Sequence, residues 1–320
     1  MSCILVTGAN GFVGNKLCQE LIDKGHTVHA ITRQPYKGTS STEYRNFTIN
    51  EIGSDTQWSE ALANVECIVH LAARVHVMED SSTNPLAEYR ETNTNGTMAL
   101  ARQALAAGVK RFVYISSIKV NGESTALNKP FTDKDDCNPD DPYGLSKYEA
   151  ENQLFELAGS SRMEVVIIRP PLVYGPGVKA NFLSMIRWVN KGVPLPLGAI
   201  YNKRSLVALD NLVSLIVVCT EHKAAANEVF LVSDGQDLSL TQLLQAMAKA
   251  LGKPSRLLPV PAFAIRLAAA FLGKRDISRR LLDSLQVDIS KTKNLLNWQP
   301  PVSVEAALKV TADDFKEKSQ

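Results

Sequence analysis

The chain opens Met1-Ser-Cys-Ile-Leu-Val-Thr-Gly-Ala-Asn-Gly-Phe-Val-Gly14, and its fold turns on how these residues are read. Ile4, Leu5 and Val6 form the short apolar run of a strand covered on both faces. Glycines follow at 8, 11 and 14, while Val13, Leu17, Leu21 and Ile22 recur at helical spacing. The order is strand, glycine turn, helix start. A helix N-terminus carries unpaired N–H groups and a partial positive charge, so it attracts anions. Gly8 suits a tight turn, Gly11 the close approach of a pyrophosphate, and Gly14 the close packing of helix on strand. Asn10, Phe12 and Val13 complete the turn and are expected to contact the same nucleotide. A plain glycine-rich turn in another α/β protein is the alternative for this stretch taken alone.

Working outward, Thr27 to Ile31 alternates as a second strand and runs into Arg33. An acidic residue there would hold a ribose 2′-hydroxyl, whereas Arg accommodates a 2′-phosphate. No Asp or Glu lies between Val28 and Thr42, so Arg33 tilts the expected cofactor from NAD(H) toward NADP(H). A solvated loop arginine is the plainer alternative. Phe47 to Ile52 reads as a third strand whose last residues, Glu51 and Ile52, would lie near an adenine. Cys67 to Ala73 reads as a buried strand, with Leu71, Ala72 and Ala73 where a nucleotide approaches. Asp80 to Pro85 reads as a turn into one long helix, Leu86 to Ala107, containing Asn93. Arg111 to Ile115 is a strand ending at Ser116-Ser117, and Asn121 to Pro142 is a long polar loop of the kind that carries function. A helix follows from Tyr143, then a sixth strand, Val165 to Pro170.

Strand and helix alternate throughout, which implies an α/β fold with a doubly wound parallel Rossmann sheet. After Pro171 the elements shorten and turn residues cluster. A smaller α/β substrate domain is therefore expected at the carboxyl edge of the sheet, with residues 1–173 forming the nucleotide domain and 174–320 the second, interleaved with the first. Ligands bind at that edge in open α/β folds.

Composition narrows the classes. The 320 residues are 45% hydrophobic with a formal charge of +2, and no long basic run suggests nucleic acid. Five scattered cysteines without a C-x-x-C pair argue against a disulfide framework and a metal site. Together with the lack of a leader pattern, they lead us to expect a cytoplasmic protein. The most apolar segment, Leu257 to Leu272, is broken by Pro259, Pro261 and Arg266 and is too short to span a membrane. It is expected to be a buried or subunit-facing helix, with peripheral membrane contact the other possibility.

Tyr143 and Lys147 are four residues apart and share a helix face. An ammonium beside the phenol would lower its pKa, and the positive ring of an oxidised nicotinamide would lower it further. Such a Tyr could exchange a proton with a sugar or alcohol hydroxyl near neutrality. Ser117, at the strand end, could orient the same oxygen.

Six stretches in order, T-G-A-N-G-F-V-G (7–14), H-L-A-A (70–73), N-T-N-G-T (93–97), Y-I-S-S-I-K-V-N-G (114–122), Y-G-L-S-K (143–147) and R-P-P-L-V-Y-G-P-G (169–177), resemble the extended short-chain dehydrogenase/reductases of the NAD-dependent epimerase/dehydratase family. The resemblance implies Ser117, Tyr143 and Lys147 as the catalytic set. It implies that Tyr143, Lys147, Asn93 and Pro170 join the glycine turn in holding the cofactor. It implies a UDP-linked nucleotide sugar as substrate, contacted by Ser117, Asn181, Phe182 and Arg204, and a homodimer paired through the helices at 86–107 and 143–158. Asn121 stands where the family pattern has Tyr. Ile118-Lys119 stands where 4,6-dehydratases carry an acid pair, so elimination of water is not expected. What the resemblance leaves is a UDP-hexose or UDP-N-acetylhexosamine 4-epimerase, with three alternatives: an NADPH-dependent 4-keto-sugar reductase, a ketoreductase on a non-nucleotide substrate, or a non-catalytic cofactor sensor. The last sits poorly with an intact Tyr and Lys.

Overall fold

The computed structural model describes residues 1–34, 43–75 and 84–319. The Asp80 to Pro85 turn lies largely outside the described residues. Among them, seven strands form one parallel sheet in the order β3-β2-β1-β4-β5-β6-β9. They are β1 (Cys3–Thr7), β2 (Thr27–Thr32), β3 (Tyr44–Thr48), β4 (Cys67–His70), β5 (Arg111–Ile115), β6 (Glu164–Arg169) and β9 (Glu228–Leu231). Two short parallel strands, β7 (Leu172–Tyr174) and β8 (Leu206–Ala208), pair separately. The strand order reverses between β1 and β4, and the crevice beyond their carboxyl ends is where such sheets take ligands.

Both faces of the sheet are covered, as continuous apolar strands require. On one face Ile4, Val6 and Val69 pack with Leu17 and Leu21 of α1 (Phe12–Asp23) and with Leu212 and Ile216 of α6 (Leu209–Glu221). On the other, Leu5, Ile68 and Phe112 pack with Leu100 and Ala104 of α3 (Gly96–Ala106) and Leu154 of α4 (Pro142–Gly159). A third core joins Tyr174 of β7 and Phe182 and Ile186 of α5 (Ala180–Asn190) to α7 (Leu240–Leu251) and α11 (Val304–Lys318). The helix α7 starts with a reciprocal Ser239–Gln242 capping box and ends at left-handed Gly252.

Four sequence expectations change. The third strand ends at Thr48 rather than Ile52, because its partner β2 ends at Thr32 and the ladder runs out with the Thr32–Thr48 pair. The long helix 86–107 is not uniform. α2 (Pro85–Tyr89), capped by the Asn84 side chain, passes into a π-helical turn over Arg90–Asn95 before α3. Beyond residue 173, where the second domain is expected, β9 instead closes the central sheet beside β6. The apolar segment near Leu257–Leu272 forms α8 (Ala262–Phe271), and that helix has no buried residue. It packs against α9 (Arg275–Leu282), and the remaining helix is α10 (Ser290–Leu296). No described helix is long and apolar enough to cross a membrane.

Candidate active site

The glycine turn sits at the carboxyl end of β1. Gly8 has φ +66°, a left-handed conformation that favours glycine, and its carbonyl accepts from the Gly11 N–H at 2.8 Å. A Cβ on Gly14 would stand 2.1 Å from the Gly8 oxygen, and one on Gly11 would stand 2.9 Å from it. Gly11 caps α1 without any side chain, and the first turn of α1 holds no acidic residue. The helix therefore presents bare N–H groups beside a turn too tight for a Cβ at 11 or 14, which fits the close approach of a dinucleotide pyrophosphate. Asn10 and Gly11 are exposed there, and Phe12 and Val13 are half-buried. Ala9 N–H donates to Ile31 O at 3.1 Å, tying the turn to the end of β2, two residues before the exposed Arg33.

A buried polar chain holds the loop after β4, and sequence reasoning missed it. Thr7 Oγ1 accepts from the N–H groups of Leu71 and Ala72 at 3.1 and 3.0 Å. It also meets His70 Nδ1 at 2.8 Å, and His70 Nε2 meets Thr97 Oγ1 at 3.0 Å. Thr97 donates to Asn93 O at 2.7 Å. One proton assignment satisfies every group: Thr7 donates to Nδ1, and Nε2–H donates to Thr97. Burial, with the Lys147 charge adding, pushes His70 down to about 3, so the ring is neutral across ordinary pH. Asn93, in the π-helical turn, donates to Arg74 O and Ser146 Oγ and accepts from Arg74 N–H at 2.8 Å. It thus joins the β4 loop to α4, and Ala73 lies inside the span it holds. The signal was present in Thr7, His70 and Thr97 of the motifs, but only their pairing in space reveals it.

The catalytic candidates converge at the ends of β5 and β6. Ser117 lies close enough to the half-buried Tyr143 for its hydroxyl to bear on the phenol. Burial pushes the Tyr143 phenol up to about 12, with the Asp141 carboxylate adding and the Ser117 hydroxyl opposing. Lys147 is 1% exposed; its Nζ donates to Ile115 O at 2.9 Å and lies 4.4 Å from the centre of the Tyr114 ring. Burial pushes Lys147 down to about 7, with Glu151 opposing. This corrects the expectation that the ammonium lowers the phenol directly. Spacing puts both residues on one helix face, but the lysine stem runs into the sheet and docks on Tyr114. Ser116 Oγ, beside Ser117, is buried with no partner among the described residues. Pro170, also buried, uses its carbonyl to hold Ile118 N–H at 3.0 Å.

The positions that would carry a dehydratase acid pair hold different chemistry. Ile118 is a core residue, and Lys119 is ion-paired with Glu123 at 2.9 Å and with Asp141. Asp141 also caps α4 by accepting from Gly144 N–H at 2.6 Å. Asn121 Oδ1 accepts from Arg169 at 3.0 Å, and Arg169 grips Glu151 with both side chains nearly fully buried.

The remaining candidates spread out. Glu51 is exposed, and Ile52 packs where a Cβ on Gly96 would stand 2.7 Å from its Cγ2. Asn181 is exposed at the start of α5, but Phe182 is 2% exposed and stacks on Tyr174 with ring centres 5.1 Å apart. Phe182 is thus a core residue in this structure, because the helical turn that exposes Asn181 rotates its neighbour inward. Arg204 donates to the carbonyls of Arg280 and Asp283 at 2.7 and 3.1 Å, and burial lowers its pKa. No described group of His, Cys, Asp or Glu could hold a metal.

This geometry has known counterparts. Residues 4–233 match the model of the NAD dependent epimerase/dehydratase family. The chain belongs to that family. It is 51% identical over 314 residues to a UDP-glucose 4-epimerase of Vibrio cholerae, covering 98% of this chain and 95% of that protein. Among solved structures it resembles the UDP-glucose 4-epimerase of Thermotoga maritima with UDP-glucose, at a TM-score of 0.77 and 24% identity, covering 99% of this chain and all of that one. It resembles the dTDP-glucose 4,6-dehydratase of Bacillus anthracis with NAD equally well, at a TM-score of 0.77 and 21% identity, covering 99% of this chain and 97% of that one. The shared backbone therefore does not separate epimerases from dehydratases; residues such as Ile118 and Lys119 must.

Proposed function

We propose that the protein is a 4-epimerase of UDP-linked hexoses or N-acetylhexosamines. The observation that carries the proposal is the Ser117 hydroxyl close to the Tyr143 phenol, beside Ile118 and the ion-paired Lys119: proton exchange at one sugar hydroxyl, with no acid pair to expel water. The 51% identity to a protein named UDP-glucose 4-epimerase supports it. The glycine cradle and the bare α1 N-terminus would hold the cofactor pyrophosphate, and Lys147 and Asn93 would frame its far end. When bound, oxidised NAD supplies the hydride acceptor for sugar C4 and a positive charge beside Tyr143. With that charge bringing its phenol down so that its own proton is lost to solvent, Tyr143 would take the proton of the 4-hydroxyl and return it after the sugar has turned. Ser117 holds that oxygen in line. Asn181 and Arg204 are proposed to meet the nucleotide diphosphate, where an arginine suits an oxyanion. Residues 1–173 and 174–320 would then divide cofactor from sugar, and pairing through α2–α3 and α4 would make a homodimer.

The test is to incubate the purified protein with UDP-glucose, UDP-galactose and their N-acetyl forms, with and without NADPH. Interconversion without added cofactor is expected. Strict NADPH consumption on a 4-keto sugar, with no interconversion, would establish the reductase instead. Arg33 favours that second reading, because it stands exposed just past β2 with no acidic residue between Val28 and Thr42.

A further inference from the structure

α8 breaks the rule that an apolar helix is a covered helix. Phe263, Leu267 and Phe271 recur every four residues and form one ridge; they are 72%, 58% and 82% exposed. Leu272, Leu258 and Ile277 extend the apolar surface and are exposed as well. The opposite side of α8 is anchored, because Ala262 and Ile265 pack on the third core. The helix therefore has a fixed inner face and a bare outer one. A scattered exposed leucine is ordinary, but a contiguous ridge marks an interaction surface.

Charge says what covers it. Between Lys253 and Asp283 the sequence has seven Lys and Arg against two Asp, a local charge of +5. The whole chain carries +2, so the rest of it carries −3. Lys274, Arg275 and Arg279 are exposed beside the ridge, on α9 and the turn leading into it. A second copy meeting this face about a two-fold axis would set +5 against +5, which works against self-pairing. Phenylalanine and leucine rimmed by lysine and arginine is the pattern of a helix lying in a lipid interface, its apolar side among the acyl chains and its cations at anionic headgroups.

We infer that the α8–α9 face docks the protein on an anionic lipid bilayer, peripherally and without crossing it. The face adjoins the site: Arg204 hydrogen-bonds the carbonyls of Arg280 and Asp283, at the end of α9. Docking would hold the proposed diphosphate-binding arginine close to the membrane surface.

The test is flotation of the full chain with vesicles of phosphatidylcholine alone and vesicles containing about one third phosphatidylglycerol. The wild-type protein is expected to float with the anionic vesicles, to stay behind with the neutral ones, and to be released by high salt. F263S/L267S/F271S and, separately, K274E/R275E/R279E should each lower the floated fraction about tenfold, with the thermal unfolding midpoint unchanged in both. The charge-reversal variant leaves the apolar ridge intact, so it guards against a folding defect in the first. Failure of the wild-type protein to float with anionic vesicles would overturn the proposal, as would undiminished flotation of both variants. A fall in sedimenting mass on removing the ridge, without vesicle binding, would make the face a self-association surface and overturn it too.

Discussion

The carboxyl edge of the sheet and the α8–α9 corner handle polarity in opposite ways. At the sheet edge, polar groups go inside: His70, Thr97, Asn93, Lys147 and the Arg169–Glu151 pair are all buried, and nearly every one finds a protein partner. At the α8–α9 corner, apolar groups stay outside and cations surround them. Burying polar groups is costly unless they are paired, so the first region trades stability for a fixed geometry. Leaving a ridge of phenylalanine and leucine in water forgoes hydrophobic stabilisation, which makes sense for a surface that meets something else. Polarity out of place singles out both regions, the one proposed for chemistry and the other for contact.

The largest effect that would test this contrast is on turnover. Tyr143→Phe should lower sugar interconversion by about 10²–10⁴-fold, the usual worth of a positioned acid–base, while Phe271→Ser leaves it unchanged in solution. Equal turnover in wild type and Tyr143→Phe would remove Tyr143 from the chemistry. Next in size is stability. Arg169→Met leaves Glu151 charged and buried without its partner, and should cost about 3–5 kcal/mol in urea unfolding. Lys249→Ala breaks the fully exposed Lys249–Glu305 pair and should leave the urea midpoint where it was.

A smaller effect concerns pH. His70 titrates at about 3 when folded, against an ordinary 6.5, so the unfolded chain binds the extra proton between those values. Its contribution to stability is present above pH 6.5 and drains away as pH falls toward 3. His70→Asn should flatten the loss of urea stability across that window by about one proton's slope. An unchanged slope would mean that the ring is not the neutral link between Thr7 and Thr97. The smallest effect is on cofactor choice: Arg33→Asp should shift preference toward NAD by about tenfold, read as the ratio of binding constants for NADH and NADPH.

Much of the site was legible because local patterns carry it. The glycine spacing at 8, 11 and 14 dictates a turn that no side chain can enter. Alternation of apolar strands with helical spacing gives a parallel sheet, and the serine pair marks a strand end. The Ile118-Lys119 departure could likewise be read without coordinates. Other features depend on contacts between residues far apart in the chain. Helical spacing put Lys147 beside Tyr143, yet the ammonium sits over Tyr114, on a different element. Phe182 read as a substrate contact next to Asn181, yet a helical turn separates their faces. The polar chain from Thr7 to Asn93 links residues 63 and 27 positions apart, and no short window holds it.

The sequence by itself determined the glycine turn and the α/β class, because each follows from backbone sterics or from periodicity within a few residues; the Ser–Tyr–Lys candidates came from the resemblance to a family. Tertiary structure alone decided which charges are buried, that burial pushes the phenol up, that β9 closes the main sheet, and that α8 stands uncovered. Burial is a property of the whole packed molecule: an apolar helix reads the same whether it faces a core or the solvent, and only the surrounding elements decide which.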